Sequence, residues 1–272
     1  MIRASMKVFA AEGLKQHRRM ASNKTMVFSQ LLWPLLELFT IYFTIRPVAD
    51  SGEQRWPLAA TPGGLLAFLA TGALGFAFFF ALVQSAWHFS FERQTGTLEL
   101  LFLSPANRLV LVIANGVGAL VQNLWLFLCF AGALVFVPGV LRLAHPAMFV
   151  VVFLALLIPA IAWGAFLNSM LIFSRDSAFL FTVFSDPMAF VSGARIPVAF
   201  LPGWIAAVGT VLPLTASLVV VRGALLQANT LADLGGSLIQ LAVISAVLVA
   251  LAALLLKLGE RRAQRTGQLR LF

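Results

Sequence analysis

Residues Ala147–Phe173 read AMFVVVFLALLIPAIAWGAFLNSMLIF, twenty-seven positions without one charged side chain. About 20 apolar residues carry a helix across the hydrocarbon core of a bilayer, and only a helix or a closed barrel satisfies its backbone there. Four further runs have the same character: Met26–Ile45, Gly63–Trp87, Leu109–Val137 and Leu234–Leu256. A shorter one, Ala178–Ser192, holds Asp186 and Pro187 and reads as a broken or incomplete fifth span, which brings the expected total to six. Composition agrees: the 272 residues are 61% hydrophobic and 11% charged, with mean hydropathy +0.96, too little polar surface to cover a soluble globule. The expected fold class is therefore an all-α integral membrane protein.

The span between Arg195 and Arg222 does not fit a straight helix, because Pro197, Pro202, Gly203, Gly209 and Pro213 interrupt it. Backbone broken at membrane depth persists only where protein or a water-filled cavity covers it. Residues 193–222 are thus expected to form a re-entrant, gate-like hairpin before the last span.

Orientation follows from the basic residues. Fourteen of the nineteen, from Arg3, Lys7, Lys15, Arg18, Arg19 and Lys24 through Arg93, Arg108 and Arg175 to the tail at 257–272, fall on one side of the expected membrane. Arg46, Arg55, Arg142, Arg195 and Arg222 fall on the other. Both termini are expected to be cytoplasmic, and the net charge of +9 reads as an orientation signal with attraction to anionic lipid, not as nucleic-acid binding. Residues 1–25 carry no apolar run of the signal-peptide kind. Wound as a helix, they place Met6, Phe9, Ala10, Gly13, Leu14 and Met20 on one face and Lys7, Glu12, Lys15, Arg18 and Arg19 on the other, as an interfacial helix on the membrane surface does.

Catalytic readings find little support. None of the four lysines follows a glycine, so a P-loop is absent. His17, His88 and His145 sit on separate segments without metal-ligand spacing, and the lone Cys129 makes neither a disulfide framework nor a thiolate site. Ser192, followed by Gly193, has no histidine after it in the chain to act as a base. Glu37 and Asp186 lie within spans, where a carboxylate marks either a translocation or proton path or a structural pair with an arginine of a neighbouring helix. Asn115, Gln122 and Asn123 read as interhelical hydrogen-bonding groups, and Trp33, Trp56, Trp87 and Trp204 as belt anchors. The phenylalanines Phe76, Phe78, Phe79 and Phe80 suit an apolar path or lipid-facing packing, and packing against lipid is the expectation.

The loop after the second span is different. Between Phe91 and Pro105, Gly96 permits a turn, Thr97 can cap a helix, Glu99 lies in its first turn and Pro105 ends it. Leu98, Leu101 and Phe102 give this short helix an apolar side, which makes it a rigid knob for a cytoplasmic partner.

Glu92, Gly96-Thr97-Leu98-Glu99 and Pro105 resemble the loop of permease subunits of ABC-2 type exporters. Ser192-Gly193, Pro197, Leu201-Pro202-Gly203-Trp204 and Pro213-Leu214-Thr215, followed by Arg222, resemble the same family's motif before the last span. Nearly the whole chain is covered by the resemblance. It implies a half-transporter in which a second permease chain, identical or related, completes the pathway, and two copies of a cytoplasmic P-loop ATPase bind ATP and Mg. No cofactor is expected on this chain. Residues Glu92, Gly96, Thr97, Leu98, Glu99, Leu101 and Pro105 would couple to the ATPase, helped by Phe9, Glu12, Lys15, Arg18 and Arg19 of the surface helix. Ser192 to Thr215 would form the outer gate, in a cytoplasmic (inner) membrane. The loop is more similar to the branch exporting drugs, lipids and lipo-oligosaccharides than to the polysaccharide branch. The rival from another class is a proton-coupled transporter or channel using Glu37 and Asp186.

Overall fold

The computed structural model describes residues 2–22, 24–50, 61–94, 109–111, 113–114, 120–136, 141–170 and 187–266. These residues are helical with connecting turns, and none of them lies in a strand. The helices are α1 (Ile2–Ser22), α2 (Lys24–Asp50), α3 (Pro62–Gln94), α4 (Leu120–Val135), α5 (Met148–Met170), α6 (Gly203–Val211), α7 (Pro213–Leu226) and α8 (Gly235–Thr266), with a 3₁₀ turn at Val198–Phe200. Among the described residues three stretches are long and apolar enough to cross a membrane, Gly63–Leu82, Met148–Met170 and Gly235–Gly259. The bent pair α6–α7 makes a fourth if taken as one span. The expected run 26–45 falls within α2. Of the expected run 109–137, the described parts are 109–111, 113–114 and α4 with residue 136.

The bundle is organised around α3. Its start is set locally: Thr61 accepts a hydrogen bond from the Gly64 amide (3.1 Å) and Pro62 occupies the first turn, where its missing N–H costs nothing. From there 83% of Gly63–Leu82 is buried, and the helix touches α2, α4, α5 and α7. The aromatic run is interior, which corrects the expectation of lipid-facing phenylalanines: Phe78 and Phe79 are fully buried and Phe76 nearly so. Phe78 meets Phe127 of α4 and Phe153 of α5 edge-on at 6.5 and 5.9 Å, and Phe127 and Phe153 meet each other at 5.4 Å. Edge-to-face rings contribute about 1 kcal/mol per pair beyond their area, and here they join three helices.

Helix α8 has the opposite character. Only 22% of its spanning stretch is buried. Leu241, Ser245, Leu248, Ala252 and Leu256 form the inward stripe, and Ile239, Val243, Val247, Leu251, Leu254 and Leu258 the outward one. The Ser245 hydroxyl is satisfied within its own helix by the Leu241 carbonyl (2.8 Å), as are Thr40 and Thr44 of α2 by Leu36 and Thr40 (both 2.7 Å). The helix also continues to Thr266, beyond the expected end at Leu256, since Lys257, Leu258, Arg261 and Arg262 favour helix. Likewise α3 continues to Gln94, so Glu92 and Arg93 belong to a helix and not to the following loop.

The turn into α8 is capped reciprocally. The Thr230 amide and hydroxyl both donate to Asp233 Oδ2 (2.8 and 2.7 Å), and the Asp233 amide donates to the Thr230 hydroxyl (3.4 Å). These bonds hold the Asp233 carboxyl below the ordinary carboxylate value. A lowered folded pKa stabilises above the unfolded pKa of about 3.9, and that contribution is lost as pH falls through the folded value. Protection of the Leu234 and Gly235 amides, measured as exchange relative to the intrinsic rate at each pH, is therefore expected to fall below about pH 4. In Asp233→Asn the protection of the same amides should show no step over that range.

Candidate functional site

Chain breaks concentrate between 187 and 230. A short helix at 187–191 ends in a turn where Ser192 donates its amide to the Met188 carbonyl (3.0 Å). Gly193 follows at φ +81°, a left-handed conformation that a side chain resists, and a Cβ there would also meet Val198 Cγ2 at 2.8 Å. Pro197 starts the 3₁₀ turn and Pro202 precedes α6, its carbonyl accepting from Ile205 and Ala206 (both 2.9 Å). At Leu212 the chain bends by 84° and Pro213 opens α7. The prolines thus fix each boundary, as the sequence led us to expect, while α7 extends to Leu226, so Arg222 lies inside a helix and not at a hairpin end.

The expected gate residues divide into two sets. Ser192, Gly193, Pro213, Leu214 and Thr215 are buried, whereas Pro202 and Trp204 are exposed and Leu201 and Pro197 half-exposed. Trp204 is the extreme, 74% exposed on an α6 face it shares with Val208 and Val211. Packing beneath is close: a Cβ on Gly209 would lie 2.5 Å from the Val191 carbonyl oxygen. The Ser192, Thr215 and Ser217 hydroxyls are buried and meet no hydrogen-bond partner among the described residues.

Two arginines hold the turn after Ser192, and both had counted only toward orientation or as a motif's end. Arg195 pairs with Glu37 of α2 through Nη2 and Nε, the latter at 3.1 Å. The guanidinium also stands over the Phe190 ring (4.7 Å) and near that of Phe76 (6.0 Å). Glu37 is therefore in an ion pair, the structural alternative for that residue. On the other side Arg222 donates to the Thr71 hydroxyl (3.3 Å), the Phe68 carbonyl (3.2 Å) and the Ala194 carbonyl (3.5 Å), and lies 3.6 Å from the Phe68 ring centre. Gly72 of α3 makes room for that same Ala194 carbonyl, since any Cβ would overlap it. Next to it on α3, Gly75 faces Leu214 and Leu218 of α7. A Pro/Gly-rich stretch flanked by arginines inside apolar sequence is the signal that could have pointed to this junction.

Other expected site residues are more scattered. Helix α1 packs against α2, leaves Lys15 and Arg18 exposed, and holds Phe9 half-buried with Met6 and Leu14 exposed. Glu12 and Arg19 lie on α1 and Glu92 on α3, with their side chains outside the described residues. Gly96, Thr97, Leu98, Glu99, Leu101, Pro105 and Asp186 lie outside them altogether, as do Asn115, Trp56 and the Gln122 and Trp87 side chains. Asn123 is buried with its amide unbonded to any described residue, and no described group of three or more His, Cys, Asp or Glu could hold a metal.

A family model described as ABC-2 type transporter matches residues 6–226. No curated protein matches the chain.

Proposed function

The chain belongs to the ABC-2 type transporter family and is a multi-pass membrane permease, and from that premise we propose that it is one half of an ATP-driven exporter. Its pathway is completed by a second permease chain, identical or related. Energy comes from two copies of a separate P-loop ATPase, which bind the ATP and Mg; this chain has no P-loop of its own. The membrane is the cytoplasmic (inner) one, crossed six times, with both termini on the cytoplasmic side where most basic residues fall.

Coupling runs through Glu92 to Pro105. The sequence from Gly96 to Pro105 reads as a short capped helix with Leu98 and Leu101 on one side, which would transmit force as a rigid body, and the α1 surface helix, with Lys15 and Arg18 exposed, adds a second contact for the ATPase. The gate is the segment from Ser192 to Thr215. The observation that carries this assignment is the 84° break between α6 and α7, two apolar helices too short to span singly, with the buried hydroxyls of Ser192, Thr215 and Ser217 in or just after the same segment. ATP-driven closure of the ATPases shifts the bundle between discrete packings and swings this segment outward. The substrate is hydrophobic or lipid-linked and moves outward. Transport through Glu37 as a proton carrier is disfavoured, because its carboxylate is engaged by Arg195.

Purification of the chain from its native membranes tests the reading. A P-loop ATPase should be recovered in stoichiometric amount. A chain recovered with no ATPase, and whose membranes show ion flux abolished by Glu37→Gln, would instead be a secondary transporter or channel.

A further inference from the structure

The turn Ser192–Pro197 is held from two sides by interactions of different kinds. Arg222 binds it through neutral acceptors, the Ala194 carbonyl on the turn and the Phe68 carbonyl and Thr71 hydroxyl on α3. Those groups are enclosed by close backbone contact at Gly72 and by the Phe68 ring, so release would require α3 and α7 to part. Arg195 binds through a carboxylate on another helix, and here both side chains keep some exposure, 24% and 18%. A small cavity of about 10 Å³, room for one water, lined by Glu37, Leu69, Gly72, Phe76, Ala189 and Arg195, lies beside the pair. One water, together with the partial exposure of both side chains, can therefore solvate either charge while the guanidinium swings, and the rings of Phe190 and Phe76 remain to receive it. Gly193, already in the left-handed region, supplies the backbone freedom next to it.

We propose that Glu37 and Arg195 are positioning residues for gating: their ion pair is a releasable latch that fastens the Ser192–Pro197 turn to α2, while Arg222 is its fixed post. The inference deepens the permease reading and rests on it for what the latch controls. Closing the latch restores a pair in a medium of low dielectric constant, which favours two discrete positions of the turn over a continuum.

Ser192 is 1% exposed and makes a sensitive reporter. Cys129 is the chain's single cysteine, so Cys129→Ser with Ser192→Cys leaves one thiol to label in native membranes with a membrane-impermeant maleimide. Labelling should be slow with the pair intact and roughly tenfold faster in Glu37→Gln, as expected when a shielded closed state loses about 1.4 kcal/mol of preference. In the charge-exchanged variant Glu37→Arg with Arg195→Glu it should return toward the original rate, which general unfolding would not allow. Equal rates in all variants overturn the latch, and so does fast labelling in the exchanged variant. The two readings separate when ATP is added. A rate that depends on the pair but is unchanged by ATP keeps the latch and removes the ATP-driven permease; one that responds to ATP but not to the pair removes the latch alone.

Discussion

Gly72→Ala is expected to cost about 3 kcal/mol or more, because the added Cβ overlaps a backbone carbonyl and not a side-chain end that could swing away. The Ala194 carbonyl cannot retreat without leaving Arg222 and pulling the turn from α3. Two other glycines calibrate the effect. At Gly75 the new methyl meets the Leu218 and Leu214 methyls, flexible ends that can give, so a smaller loss is expected. At Gly132 nothing lies within 4 Å, and the higher helix propensity of alanine should make the change neutral or stabilising by up to about 1 kcal/mol. Thermal unfolding in detergent should rank the variants in that order, with Gly72→Ala far below the others. A Gly72→Ala protein as stable as Gly132→Ala would mean that the turn does not pack on α3.

Glu99→Lys carries the second large effect. In the coupling helix proposed here Glu99 sits in the first turn, where a carboxylate complements the helix N-terminus and a lysine opposes it. In the proposed contact Glu99 forms a buried charge pair with the ATPase, and removing one partner of such a hydrogen-bonded pair costs about 2–5 kcal/mol, roughly thirtyfold or more. Both ATPase recovery on purification and permease-dependent hydrolysis should therefore fall by at least about tenfold, with the folded yield of the chain unchanged. Loss of yield together with activity would instead assign Glu99 a folding role.

What was legible in the sequence depended on how each feature is encoded. Charge-free runs such as 147–173 and 63–87 announce themselves by length; α5 falls within the first and α3 contains the second. The break before the last span was legible too, because Pro197, Pro202 and Pro213 act locally and each marks a boundary in the fold. Which side of a span faces its neighbours was not. A helix apolar all round offers no polar face to orient it, so the burial of Phe78 and Phe79 is invisible to hydropathy. The small residues interleaved with them, Gly72, Gly75, Ala77 and Ala81, are the signal that marks α3 as a packed helix, since small residues let backbones approach within a membrane. Pairing of Glu37 with Arg195 spans 158 positions, beyond any rule of spacing, although an intramembrane carboxylate calls for a partner. Arg222 was counted as a loop charge for the same reason that it works as a post: its acceptors are backbone carbonyls and a hydroxyl, which leave no charge pattern in the sequence.

The central claim is that this chain is a permease that hands conformational change to and from a separate ATPase. The most direct test is ATP turnover by the co-purified ATPase in proteoliposomes, measured alone, with this chain, and with the chain carrying Gly96→Val and Glu99→Lys. We expect turnover to rise when the chain is present and to return to the level of the ATPase alone with the doubly substituted chain. Turnover indifferent to the presence of the chain would contradict the account.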